Sequence, residues 1–323
     1  MNGSHTNGSS VSHDQMSRPM SAASRLRAML SRPDQITACP GVYDGLTARI
    51  AIAQGFPCIY MTGAGTAASK LGMPDLGLVT MNDMLANAAM IASLDRTIPL
   101  IADADTGYGG PPMVSRTVKG YISAGIAGMH IEDQVLMKRC GHLGGKEIVG
   151  REEYYSRIRA AVMAREEERS TTGGDIVIIA RTDALQSFGF DEAVERLKAC
   201  IEIGADVAFL EGVTSKEDAK KFTSLFEGTP CLLNNVPGGA TPDMTVEEAR
   251  KLGYRLIIYP GLALNAVMLS VTAAYKELHE KGSVHVSDDQ LKAGVKRMFN
   301  VVGLQECIAF DAKAGGTSYS KGV

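Results

Sequence analysis

Residues 176–182 read Ile-Val-Ile-Ile-Ala-Arg-Thr. Five apolar residues run without a polar break and end on an arginine. The run is too short for a helix and shows no alternation, so it reads as a strand covered on both faces, as in a parallel sheet. Working outward, the same pattern recurs at 36–42, 58–62, 100–104, 128–132, 207–211, 230–234 and 255–260. Helical stretches separate these runs at 81–94, 151–168, 191–203 and 245–252. Asp191 before Glu192, and Thr245 before Glu247 and Glu248, supply helix-start signals with acid in the first turn. Eight strands alternating with helices predict an α/β fold of the (β/α)8 TIM-barrel type. A doubly wound open sheet is the alternative, but it usually carries a glycine-rich turn after its first strand. Here that strand runs into Tyr43-Asp44-Gly45. Two further helices are expected beyond the eighth strand, at 264–281 and 288–302.

The strand ends carry the chemistry. In order they are Tyr43, Thr62, Asp103 with Asp105, Glu132, Arg181, Glu211, Asn234 and Pro260. All but the last are polar or ionisable, and a barrel gathers its strand C-termini at one mouth, where the active sites of this fold sit. The chain therefore reads as an enzyme. Asp103, Asp105, Glu132 and Glu211 form an all-oxygen set without a histidine cluster, which suits Mg²⁺, or Mn²⁺, rather than zinc. Asp103 is expected to bind the metal directly and the other three through water. Arg181 suits a bidentate clamp on a substrate carboxylate. Thr62-Gly63-Ala64-Gly65-Thr66 offers backbone N–H groups to an anion.

Residues 138–146, Lys-Arg-Cys-Gly-His-Leu-Gly-Gly-Lys, concentrate a cysteine, a histidine, cations and glycines. Flanking cations favour thiolate, so Cys140 is expected to be an acid/base or a nucleophile. Gly141 and His142 extend this mobile Cys-Gly-His loop, which would close over the site, exclude water and deliver a proton.

Composition narrows the class. With 323 residues, 45% of them hydrophobic, the chain can bury a large core. Residues 1–23, rich in Ser, Asn, Gly and His, read as a disordered tail, and 24–323 as one barrel domain with its C-terminal helices. A formal net charge of −3 argues against nucleic-acid or anionic-membrane partners. No apolar run reaches the ~18 residues of a membrane span. The six cysteines are scattered without zinc or disulfide spacing, so a reducing compartment is expected. The cytoplasm is the expected location, with the mitochondrion the alternative.

From residue 24 onward the chain resembles the isocitrate lyase and phosphoenolpyruvate mutase superfamily. The resemblance rests on 60–65 (Tyr-Met-Thr-Gly-Ala-Gly), 74–77 (Pro-Asp-Leu-Gly), 102–109 (Ala-Asp-Ala-Asp-Thr-Gly-Tyr-Gly), 130–134 (His-Ile-Glu-Asp-Gln), 138–142 and 180–184 (Ala-Arg-Thr-Asp-Ala). It implies a Mg²⁺ that holds a 2-oxo or 2-hydroxy carboxylate, bound by Asp103 with Asp105 and Glu132 on its waters and Asp75 on its side. It implies substrate contacts from the Thr62-Gly63-Ala64 backbone, Arg181, Glu211 and Asn234, and Cys140 as the gating-loop acid/base. The branch nearest to the chain holds 2-methylisocitrate lyase, 2,3-dimethylmalate lyase and oxaloacetate acetylhydrolase. Its fungal members share Cys-Pro-Gly-Val-Tyr-Asp-Gly (39–45). Oxaloacetate hydrolases tend to carry serine after the eighth strand, where this chain has Pro260. Pro237 and Gly261 depart from both kinds of relative and imply a larger, less polar pocket.

The resulting expectation is a Mg²⁺-dependent carbon–carbon lyase that splits a 2-hydroxy dicarboxylate into a 2-oxo acid and a carboxylate. Oxaloacetate hydrolysis to oxalate and acetate is the second reading, and a barrel scaffold without catalysis the third. C-terminal helices swapped between subunits, as in the family, imply a homotetramer.

Overall fold

The computed structural model describes residues 20–286 and 288–322. Its eight strands are β1 (Thr37–Val42), β2 (Ile59–Met61), β3 (Leu100–Asp103), β4 (Gly128–Glu132), β5 (Val177–Thr182), β6 (Val207–Leu210), β7 (Cys231–Asn234) and β8 (Leu256–Tyr259). They are parallel, pair in chain order and close through β1 on β8, with Thr37 opposite Leu256. The barrel expected from the sequence is the fold observed, with every strand in its expected place.

Strand side chains alternate, and the alternation sorts them into two cores. Cys39, Tyr60, Ile101, Ile179, Phe209, Leu232 and Ile258 pack together inside the barrel. Val42, Met61, Ala102, Ile131, Ala180, Leu210, Leu233 and Ile257 pack outward against the helices. Two residues beyond the inward set, the same parity brings up Thr62, Asp103, Arg181, Glu211, Asn234 and Pro260. Period two therefore selects the chemistry of the mouth.

The barrel floor is closed by the helix Ala22–Leu30, whose Leu26 and Leu30 join the inner core. A Cβ on Gly128 would stand 2.9 Å from Leu26 Cδ2, so this β4 position leaves room only for hydrogen. The helix begins earlier than the sequence suggested. Ser21 caps it by accepting the Ser24 N–H, and Ala23 is buried, so 21–23 belong to the folded domain and not to a tail. Residues 1–19 of that expected tail lie outside the described residues.

The helix Met81–Leu94 has its expected bounds, and Arg151–Thr171 runs three residues past the expected end. Thr245 caps Val246–Leu252 in a capping box with Glu248. Asp191 does not cap: Phe190–Ile203 starts after Gly189, which places the acid in the first turn. Beyond β8 come Leu262–Lys281, Asp288–Val301 and a further helix that periodicity did not announce, Leu304–Lys313.

Leu26 is fully buried and plugs the floor, so Leu26→Ala should lower stability by about 2–5 kcal/mol, the range for a buried leucine truncation. Thermal unfolding checks this; an unchanged Tm would show that the helix does not seal the barrel.

Candidate active site

Helices outside the barrel fix the strand ends. Tyr121 donates to the Asp103 carbonyl (2.9 Å), Tyr154 to the Arg181 carbonyl (2.6 Å) and Arg157 to the Glu132 carbonyl (3.2 Å). These bonds satisfy backbone oxygens that the sheet leaves over and hold each functional side chain at a set height.

A cavity of about 120 Å³ opens at the mouth. Thr62, Ala64, Asp75, Asp103, Cys140, Gly141, His142, Arg181, Glu211, Asn234 and Pro260 line it, together with Tyr60, Val236, Gly261 and Leu264. Eleven of the residues singled out from sequence are thus brought together. Four are not. Tyr43 lies beside Gly65, under the start of the following helix, and its carbonyl accepts from Asn87. The Gly63 N–H is engaged by Asp103 Oδ2 (3.2 Å) and the Gly65 N–H by Thr62 Oγ1 (3.3 Å), so the expected anion nest is mostly closed. Glu132 is fully buried behind Gln134, which donates to it (2.9 Å), and Arg181 Nη1 (3.2 Å). Asp105 borders a neighbouring hollow of about 290 Å³ that it shares with Lys138, Tyr108 and Arg116.

Six carboxylates share this region with three cations. Lys138 stands 2.6 Å from both Asp75 and Asp105. Arg181 directs Nε and Nη2 at Asp183 (2.9 and 3.0 Å), Nη1 at Glu132 and Nη2 towards Glu211 (3.5 Å). Lys146 reaches Asp183 at 2.9 Å. The arginine fork expected to grip substrate is therefore already occupied by Asp183, which fixes the guanidinium over the Phe209 ring. Burial, only partly offset by Lys138 and Arg181, raises the proton affinity of Asp103 and Glu132 and pushes Asp105 up to about 6. Burial works against charge on Asp183 too, but Arg181 and Lys146 outweigh it and hold that carboxyl at about 2. His130, beneath Asp103, is held neutral by burial at about 3, with Tyr60 Oη 2.8 Å from its Nε2.

The excess of acid bears on a metal. No three His, Cys, Asp or Glu side chains among the described residues converge as a ready ligand set. Mg²⁺ does not require one, since it usually takes one or two carboxylates and keeps its waters. Asp105 Oδ2 is buried without a hydrogen-bond partner, and the six carboxyl groups outnumber the three cations beside them. The donors are hard oxygens, so the residues fit a divalent cation.

Cys140 corrects an expectation. Its neighbours in sequence act on it only weakly: Lys138 favours the thiolate slightly but is taken up by Asp75 and Asp105, and Arg139 donates to the Gly144 carbonyl. Burial dominates and raises the thiol above its ordinary value. That shift favours the thiol over the thiolate. Gly141 presses against the site: a Cβ there would come within 2.8 Å of Glu211 Cγ and closer to Arg181 Nη2. His142 Nε2 lies 3.2 Å from Asn234 Nδ2 and 3.6 Å from Glu211 Oε1. Sequence reading missed Asp183, Gln134 and the specific partners of Lys138 and Lys146. Asp183 stands beside Arg181 in the quoted Ala-Arg-Thr-Asp-Ala, and that spacing was the available signal.

Fold and mouth together define a barrel with a small cavity at the C-terminal ends of its strands, walled by buried acids. The phosphoenolpyruvate phosphomutase family model matches residues 26–279. The chain is 44% identical over 241 residues to 2,3-dimethylmalate lyase of Eubacterium barkeri, covering 75% of this chain and 80% of that one. A solved oxaloacetate acetylhydrolase with 3,3-difluorooxalacetate superposes with a TM-score of 0.88 at 49% identity, over 93% of this chain and 99% of that one. A solved 2,3-dimethylmalate lyase gives 0.89 at 48% identity, over 95% and 99%. The chain belongs to the phosphoenolpyruvate mutase/isocitrate lyase superfamily. Within it, the chain is an enzyme of the carbon–carbon bond-cleaving kind that these named relatives represent. A more distant neighbour, phosphonopyruvate hydrolase (29% identical, TM-score 0.78, over 91% of this chain and 99% of that one), was solved with oxalate and Mg²⁺.

Because burial raises the Cys140 thiol, its alkylation by iodoacetamide should rise with a midpoint above pH ~8.5, the free-cysteine value. Peptide mass spectrometry reads this. A midpoint near pH 7 would restore the thiolate reading.

Proposed function

We propose that the chain is a Mg²⁺-dependent lyase that splits an alkylated 2-hydroxy dicarboxylate into a 2-oxo acid and a carboxylate. The observation that carries the reading is the wall after β8. There Pro260, Gly261 and Leu264 line the cavity without a hydroxyl. Global similarity does not separate lyase from hydrolase, since the two solved relatives match at 48% and 49%. This wall supports the lyase reading, because it favours alkyl groups over a hydrated carbonyl, which needs a donor. Pro237 plays no part in it, being exposed and outside the lining residues.

Asp103, with Asp105, Glu132 and Asp75 behind it, would hold the cation. Bound there, it would supply Lewis-acid stabilisation of the negative charge that develops on the substrate. The protein's own residues account for the rest. Ala64, at the mouth of β2, presents its backbone to the substrate carboxylate. Glu211, a carboxylate of the cavity, takes the proton of the 2-hydroxyl. The C2–C3 bond breaks, its electron pair passes to C3, and the neighbouring carboxylate delocalises it as an enolate. Arg181, locked by Asp183, faces the charge that develops. Cys140, protonated at neutral pH, donates to C3. His142 and Asn234 hold Glu211, and the loop keeps water out.

We also propose a homotetramer. The helix Leu262–Lys281 has no buried residue and exposes Met268, Leu269 and Tyr275, the last at 71%. Such apolar exposure is unstable in water and calls for a second copy.

EDTA should abolish turnover and Mg²⁺ restore it; full turnover in a metal-free sample would refute the cation's role. Cys140→Ser should lower kcat by roughly 10²-fold with the fold intact. In side-by-side kcat/KM measurements, 2,3-dimethylmalate should exceed oxaloacetate. An advantage of oxaloacetate beyond about tenfold, more than a typical methylene effect, would install the hydrolase reading instead. Light scattering should give four copies; a 34.3 kDa particle would contradict the assembly.

A further inference from the structure

The loop that carries Cys140 is pinned at its neck, where Gln134 and Ile148 form an isolated antiparallel bridge and Val135 N–H donates to the Glu147 carbonyl (3.0 Å). Between those points it contains no helix or strand. Its tip is held by one backbone bond, Cys140 N–H on the Asp75 carbonyl (3.1 Å), and otherwise by side chains. One of these bridges loop and barrel directly. Lys146 Nζ donates to the Gly141 carbonyl at 2.7 Å and meets Asp183 Oδ1 at 2.9 Å, with its side chain only 3% exposed.

Both partners matter. The Gly141 carbonyl belongs to the peptide that joins Gly141 to His142, one residue beyond Cys140, so fixing it fixes the orientation of both reactive side chains. Asp183 is the carboxylate that grips the Arg181 fork. It is itself immobile, because Asp133 Oδ1 accepts its N–H (2.8 Å) and Arg196 and Thr182 hold Asp133. One ammonium thus connects the loop tip to the base that aligns the substrate-facing arginine.

We propose that Lys146 is a positioning residue: a latch that couples closure of the Cys140–Gly141–His142 tip to the Asp183–Arg181 pair. Without it the Gly141 carbonyl loses its donor, and buried Asp183 keeps one cation instead of two. The tip is then released and Arg181 is drawn further onto Asp183. Lys146 touches no reacting atom; it acts through Gly141 and Asp183. The inference rests on the proposed role of this loop as the cover of the site.

The latch can be read without turnover. In a Cys307→Ser background, which removes the exposed thiol, the alkylation rate of Cys140 by iodoacetamide at fixed pH reports opening of the tip. Cys200, on the buried face of the helix Phe190–Ile203, serves as internal control. Lys146→Met should accelerate Cys140 alkylation by about tenfold or more, the scale of a lost charge-assisted hydrogen bond, and leave Cys200 unreactive. Lys146→Arg, which restores a charged donor, should return most of the protection. A wild-type rate in folded Lys146→Met overturns the latch, as does equal acceleration at Cys200, which marks general loosening. If Lys146→Met does not fold, Lys146→Gln keeps a donor for Gly141 without the charge and should show a smaller acceleration. Loss of fold in both would make Lys146 a core residue and overturn the proposal as well. The readout does not depend on which substrate is cleaved, so it fails separately from the lyase assignment.

Discussion

Six acids buried around three cations at the barrel mouth form the constraint on which the rest of the structure depends. Burying like charges together is unfavourable unless cations and hydrogen bonds answer them, and each cation here answers more than one group. Lys138 lies between Asp75 and Asp105, Arg181 among Asp183, Glu132 and Glu211, and Lys146 between Asp183 and a loop carbonyl. The three cations come from two places, β5 and the 138–146 loop. Charge balance at the mouth therefore requires the loop to be down. The same arrangement still leaves acids in excess of cations, and a divalent ion would offset part of that excess. Loop and Arg181 are parts of one electrostatic problem.

Much of the fold was legible because a (β/α)8 barrel writes itself plainly. Its strands are buried on both faces and read as unbroken apolar runs, and inward parity then brings Asp103, Arg181, Glu211 and Asn234 to one rim. What stayed hidden depends on the third dimension. Glu132 and Glu211 both end strands, yet Gln134 and Arg181 close off the first while the second opens into the cavity. Tyr43 ends a strand as well. Gly41 before it is wedged against the Tyr259 and Pro260 carbonyls, where a Cβ would meet oxygen at 2.5 Å, and the chain turns into the next helix at Asp44. The tyrosine consequently packs beside Gly65 instead of entering the cavity.

Cys140 teaches the same lesson for electrostatics. Cations next to it in sequence suggested a thiolate, but Lys138 points away to two acids, and burial decides the proton's place. Backbone strain was equally unannounced. Asp105 and Tyr108 take left-handed conformations, with φ of 46° and 65°, in the turn after β3. Such conformations are unfavourable for non-glycine residues and concentrate at functional sites. Here the turn is held by the Asp105 N–H on Asp103 Oδ1 at 2.8 Å, so the two acids are set against one another by their own backbone. Composition cannot reveal a bond of that kind.

The central proposal is that the acids at the mouth would hold a divalent cation on which binding of a small dicarboxylate depends. Calorimetric titration of oxalate into the protein, with and without saturating Mg²⁺, tests it most directly. The account predicts measurable oxalate binding only when Mg²⁺ is present, and its loss in an Asp103→Asn variant that keeps the wild-type Tm. Equal oxalate affinity in metal-free protein, or unchanged Mg²⁺-linked binding in Asp103→Asn, would contradict it.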